Sequence, residues 1–466
     1  MSESTINAKR NWMQILNAFL LICLVVSLAS CGTESNPPTN YHPFAGGAGT
    51  PDDPFQIATV EQLQAIDDTL WLDKHFVQVQ DIDASASADF QKEDHDIHEF
   101  GFIPIGTYQT PFTGSFDGNA FRITDLILNM YPWDPHVGTF GFIQGAVIKN
   151  VTIENPIELN VFSEKQESIK FQEMIAGKIN DNLNENHLTD KRALGFLVGY
   201  NSGGTIENCR LTVDVRSRFV SYSGGMVGIN AGVISNSKVN GYVAILATSG
   251  GLVGLNTGTV MDSFSEGVVS SQVSGGLVGS NLGEIINSYS KADLGSGNLH
   301  GGLVARNYGV VKRSFSMGVN IDDSYGSIGG LVGINQGLIE NSYSQTTLSA
   351  FKDNNEGPFV GGLVAENVGE GMIKSSYSVT LFNVPMESIV AGVVSINRSL
   401  LNDTYWDIDI SQLEQAVGEG SPEGATGLST AQITGPAAEQ NMPEFDWVNI
   451  WRTTEDGYPV LRWEEE

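Results

Sequence analysis

His95 and His98 stand three positions apart with Asp96 and Glu99 beside them. This is the one cluster in the sequence whose residue types and spacing could hold a transition metal. The stretch is acidic and poor in glycine, which is also the composition of a solvated loop, so neither a metal nor another cofactor is expected. Glycosidase chemistry needs two carboxyl groups held about 5 Å apart or somewhat further. Within the repetitive part of the chain the only adjacent acidic pair is Asp322 and Asp323, in a segment between repeats. No HExxH, CxxC, phosphate loop or nucleophile elbow occurs. No catalytic residue is therefore expected and the chain reads as a non-enzyme, with a polysaccharide-active lyase or hydrolase left as the alternative. A different chemistry is offered by Phe264, Tyr289, Phe315, Tyr343, Tyr377 and Tyr405, which recur at intervals of 25 to 34 residues. Rings in a row could stack on sugars or dock a protein, and they could equally stack on one another.

The elements that would place these rings are repeats. GFLVGYN starts at Gly195, GGMVGIN at Gly224, GGLVGLN at Gly250 and GGLVGSN at Gly275. GGLVARN follows at Gly301, GGLVGIN at Gly329, GGLVAEN at Gly361 and AGVVSIN at Ala391. Successive starts lie 25 to 32 residues apart, so length differences fall in loops. Each unit closes on an Asn: Asn201, Asn230, Asn256, Asn281, Asn307, Asn335, Asn367 and Asn397. A G-x-[IV]-x-N-S-[YF]-S segment follows, clearest at 283–290. Units this short cannot each bury a core, but stacked units share one. Equivalent positions then lie about 4.8 Å apart. The closing Asn residues would form an amide ladder at a corner, where Asn tolerates the left-handed backbone. A second, imperfect column is Asn208, Asn236, Asp262, Asn287, Asn341 and Asp403, broken by Arg313 and Ser375.

Alternation assigns the faces. Ile206, Ile234, Val260, Ile285, Val311, Ile339 and Ile373 point inward. A small-residue stack follows, Cys209, Ser237, Ser263, Ser288, Ser314, Ser342 and Ser376. The aromatic positions come next and point outward, so Phe264, Tyr289, Phe315, Tyr343 and Tyr377 form the candidate ligand face.

The ends differ from the middle. Lys9 and Arg10 precede an apolar run from Ile15 to Leu28, then Leu28-Ala29-Ser30-Cys31. This is a secretory signal, since the run is shorter than the ~20 apolar residues a spanning helix needs. The last four residues resemble a bacterial lipobox. That resemblance implies acylation at the Cys31 thiol, cleavage before it and a lipid anchor in the membrane. Gly32 is not Asp, so an outer-membrane or cell-surface destination in a Gram-negative cell is expected. Residues 31–53 read as a flexible tether and 54–160 as an N-terminal cap with diverged coils. Within the latter, Glu61 to Leu70 has helical spacing, with Leu63, Ile66 and Leu70 on one side. Residues 161–192 are a polar insertion, 193–406 the repeat solenoid, and 407–466 a terminal cap with four of the seven Trp. The 54 Asp and Glu against 24 Lys and Arg leave a formal charge of −30. Such a chain repels nucleic acid. A monomer is expected, with a glycan or an extracellular protein as the possible ligand.

The Gly251-Leu252-Val253-Gly254 core and its copies resemble the GLUG motif. The resemblance covers about residues 195–406, and the flanking GTPDDPFQIAT, PFTGSFDG and DGYPVLRW segments match it too. It implies a right-handed parallel β-helix of about ten coils with terminal caps. Similar segments occur in bacterial surface proteins, including adhesins and some IgA-cleaving metallopeptidases. In those peptidases the zinc domain is separate from the repeats.

Overall fold

The computed structural model describes residues 42–90, 101–128, 135–154, 191–217, 220–350 and 358–465. The chain divides into two units, Met1–Pro43 and Phe44–Glu466. The signal segment, Cys31, the first part of the tether, the His95–Glu99 cluster and nearly all of the 161–192 insertion lie outside the described residues.

In the second unit each repeat folds as its alternation requires. Thr205–Glu207, Val233–Ser235, Thr259–Met261, Glu284–Ile286, Val310–Lys312 and Leu338–Glu340 are three-residue strands. Their middle residues are fully buried, as are Ile373 and the small residues of the Cys209 column. Identical positions pair in register: Val260 lies between Ile234 and Ile285, and Asn256 between Asn230 and Asn281. One ladder runs through ten strands, from Phe140–Gln144 to Val417–Gly420. At about 4.8 Å per rung it spans roughly 43 Å. Among the described residues the pairs between named strands are parallel except Trp451–Arg452 with Val460–Leu461. The architecture is a parallel β-solenoid.

Three sequence expectations are corrected. First, the stack does not end at 406. Val417–Gly420 pairs with Val394–Asn397, and Ala425–Leu428 pairs with the strand Leu400–Asp407. Ladder bonds are made by the backbone, so this last coil persists after the repeat's side chains have gone. Second, the left-handed corner belongs to the other polar column. Asn208, Asn236, Asp262, Asn287, Arg313, Asn341, Ser375 and Asp403 all have φ between 45° and 53°. Arg313 and Ser375 interrupt the residue type and keep the conformation. Third, Leu70 is not on the buried side of the first helix. Val60–Gln64 is α-helical and continues into a 3-10 turn, Ala65–Asp67; Leu63 and Ile66 are buried, while Leu70 lies beyond the turn, 65% exposed.

The buried Asn column and the serine stack do different work. The Asn201 to Asn397 column is buried, and each amide Nδ2 donates to the Oδ1 of the next Asn at 2.8–2.9 Å. The serines follow the left-handed corner, where the regular ladder is interrupted. The Ser237 N–H donates to Ser263 Oγ (3.1 Å), and the Ser263 hydroxyl donates back to the Met261 carbonyl (2.7 Å). The same exchange recurs at Ser288, Ser314 and Ser342. Serine is thus selected because its hydroxyl accepts from one rung and donates within its own.

Candidate functional site

The aromatic column runs through the register pairs Lys238–Phe264, Phe264–Tyr289, Tyr289–Phe315, Phe315–Tyr343, Tyr343–Tyr377 and Tyr377–Tyr405. From Phe264 to Tyr377 successive ring centroids are 4.6, 5.0, 4.7 and 5.0 Å apart, with planes within 9° of parallel. Strand spacing forces this geometry, because one ring per rung leaves room only for a neighbour's face. Each inner ring therefore has both faces filled and presents its edge outward. A sugar stacks on a ring face, and within the column those faces are taken by the neighbouring rings.

Most of the edges are covered as well. The C-terminal segment contributes Leu428, Ile433, Met442, Phe445, Trp451 and Leu461 to one core with Phe315, Tyr343, Tyr377 and Tyr405. Trp451 lies 6.1 Å from Tyr343 and 5.7 Å from Tyr377, centroid to centroid. Hydrogen bonds fix the cover in place. The Tyr343 hydroxyl donates to Glu464 (3.0 Å) and the Tyr377 hydroxyl to the Pro459 carbonyl (2.6 Å). The Trp463 indole N–H donates to the Arg313 carbonyl (2.9 Å), and that of Trp451 to Asn341 Oδ1 (3.1 Å). Tyr458 donates to Asp407 (2.8 Å). Burial pushes the Tyr343 and Tyr377 hydroxyls well above the usual tyrosine range and raises the Glu464 carboxyl.

The expected open face is corrected accordingly. Alternation does point Phe315, Tyr343 and Tyr377 away from the solenoid interior, yet they are buried, because the chain's own C-terminal segment occupies that side. Phe264 and Tyr289 remain half-buried, and burial pushes the Tyr289 hydroxyl up to about 12. Two cations border them. Lys238 Nζ sits 4.9 Å from the Phe264 centroid, and Lys291 Nζ sits 5.3 Å from that of Tyr289. Sequence reading missed both lysines, although Lys238 occupies the aromatic position of its own repeat and was detectable there. It also missed that Trp463, 5.7 Å from Phe315 and 6.4 Å from Tyr289, would join the column from 150 residues away.

No family model matches the chain. Over 111 residues it is 33% identical to a "Putative Gly-rich membrane protein" of Evansella cellulosilytica, a match covering 24% of this chain and 12% of that protein. Over 114 residues it is 37% identical to "Halomucin" of Haloquadratum walsbyi, covering 23% of this chain and 1% of that protein. The chain thus spans a small part of the length of these relatives. A solved structure described as a "putative immunoglobulin A1 protease" from Bacteroides ovatus aligns over 90% of this chain and 95% of its own, with 16% sequence identity and a TM-score of 0.42. The expectation of a non-enzyme is withdrawn on this finding, since a chain described as a protease is similar to this one. At that identity the likeness transfers no activity.

Proposed function

We propose that this chain is a GLUG-type surface protein, anchored through lipid on Cys31, that displays a rigid β-solenoid and binds an extracellular ligand. The observation that carries the binding reading is the end of the aromatic column that the C-terminal segment covers least, where Phe264 beside Lys238 and Tyr289 beside Lys291, the latter met on one side by Trp463, stay only half-buried. Edge-on rings bordered by ammonium groups suit a protein better than a stacked sugar. A cell-surface setting is supported by the names of the two relatives, a membrane protein and a mucin-like one, and by the lipobox. The test is a binding screen of residues 32–466 against extracellular matrix proteins, glycans and whole cells. Saturable binding that is lost in Phe264→Ser/Tyr289→Ser is the expected result. No saturable binding to any of them would leave the solenoid as a spacer and sink the reading. Acylation is checked separately, by mass spectrometry of the mature N-terminus and its loss in Cys31→Ala.

A further inference from the structure

Beside the main core, the longer strands enclose a second apolar layer that includes Val269, Leu294, Ile328, Leu348 and Val360. Phe264–Gly275 and Phe315–Gly329 each run past this layer as one unbroken strand. The rung between them is split into Tyr289–Leu294 and Gly297–Gly301. Its pairing with Phe315–Gly329 slips twice, between Ser290 and Leu294 and between Gly297 and Leu299. Ser296 and Asn298 in the split are exposed, and the Asn298 amide ties the segment to Gln272 at the surface (3.2 Å). A rung held by an interrupted ladder opens more readily than a continuous one.

His300 belongs to this split rung. It is fully buried, in register with Ser274 below and Ile328 above. Neither ring nitrogen has a side-chain partner, and the polar group that favours its charge is the Gly297 backbone. The Ser274 hydroxyl is engaged with Ser271 (2.9 Å). The ring lies so close to Gly297 that a Cβ there would come within 2.7 Å of its Cε1. Among the described side chains of the flanking strands, Glu266, Lys291 and Asp293 alternate with the buried Ser265, Ala292 and Leu294. They therefore leave by the outer face, and no charged group acts on the ring. An imidazolium in this position has no counter-ion, so taking up a proton is coupled to leaving the layer.

We propose that residues 295–300 are an acid-released flap: protonation of His300 frees the segment and uncovers the apolar layer of Val269, Leu294 and Ile328, while the main stack stays folded. The stack survives because Leu303 and Val304, which follow the flap, belong to the separate main core. Burial holds the His300 imidazole at about 4, against about 6.5 in an exposed chain. Between these values the open form binds one more proton than the closed form. Opening is therefore favoured about tenfold for each pH unit of acidification, and about fiftyfold from pH 7 to pH 4.5.

The test is hydrogen–deuterium exchange of the protein, read by mass spectrometry and corrected for the intrinsic pH dependence of exchange. Peptides covering 292–301 should lose protection about fiftyfold between pH 7 and pH 4.5, with a slope of one proton per opening, while peptides covering 250–260 and 329–340 keep theirs. His300→Ser and His300→Ile, which continue the Ser274 and Ile328 sides of the column, should abolish that pH dependence. Protection lost evenly over the whole solenoid would mean that the stack unfolds as one unit, and would overturn the flap. So would a pH dependence at 292–301 that survives both substitutions. If neither variant folds, the parent decides: protection at 292–301 that ignores pH, or falls with a slope other than one proton, overturns the assignment to His300.

Discussion

Single residues in this stack are governed by burial before anything else. Cys209 stands at the serine position of its rung and behaves as one, its thiol directed at the Glu207 carbonyl (3.3 Å). Burial pushes that thiol up to about 12, so it is an inert structural group. His300 is the sharper case. It is fully buried in a column between Ser274 and Ile328, and burial holds its imidazole down at about 4, only partly offset by the backbone of Gly297. The folded state therefore keeps a neutral ring where the unfolded chain takes a proton, near pH 6.5. Between these two values the unfolded state binds more protons, so stability falls as pH falls from 6.5 towards 4. The loss from this one group reaches about 3 kcal/mol. His300→Ser, which continues the Ser223, Ser249 and Ser274 column, should flatten the decline in melting temperature between pH 7 and 5. An unchanged slope in that variant would show that His300 is not the titrating group.

At the level of the element, the unit is the column. Asn281 accepts from Asn256 and donates to Asn307, and its amide also reaches the carbonyls of Gly283 and Val310. Asn281→Ala leaves buried partners on two neighbouring rungs unsatisfied and should cost about 2–4 kcal/mol. Asn281→Asp should cost at least as much, because it buries a charge and points an acceptor at Asn307 Oδ1. Urea unfolding of the three proteins checks both, and an Asp variant as stable as the parent would contradict the ladder. These columns were legible in the sequence because stacking makes every rung an independent copy of the same requirement. Which column bends the chain was not legible. Asn satisfies both a buried amide ladder and a left-handed corner, so residue type alone could not separate Asn201 from Asn208. Dihedral angles did.

At the scale of the whole molecule, the decisive contact is the C-terminal segment lying along the aromatic column. Its sequence marks it as a terminal cap, and in the fold it also covers a side. Trp451→Ala should destabilise that contact by about 3–5 kcal/mol. The burial that raises the Tyr343 and Tyr377 hydroxyls is then relieved. Absorbance at 295 nm should show additional tyrosines ionising near pH 10 in the variant, while the far-ultraviolet circular dichroism of the solenoid is retained. Loss of the β signal in step with the tyrosine change would mean that cover and stack unfold as one unit.

What the sequence alone determined is local and periodic: the strand of every rung, its inward Ile or Val, the serine stack, the buried Asn column and the outward aromatic position. Each follows from a repeat of 25 to 32 residues in which neighbours impose identical surroundings. What only the tertiary structure decided is the fate of the outward face. Alternation says which way a side chain leaves a strand and says nothing of what meets it there. Trp463 reaches the Arg313 carbonyl across 150 residues of chain, and no period relates the two. The C-terminal segment that makes this contact leaves three of the five candidate ligand residues buried and two, Phe264 and Tyr289, half-buried.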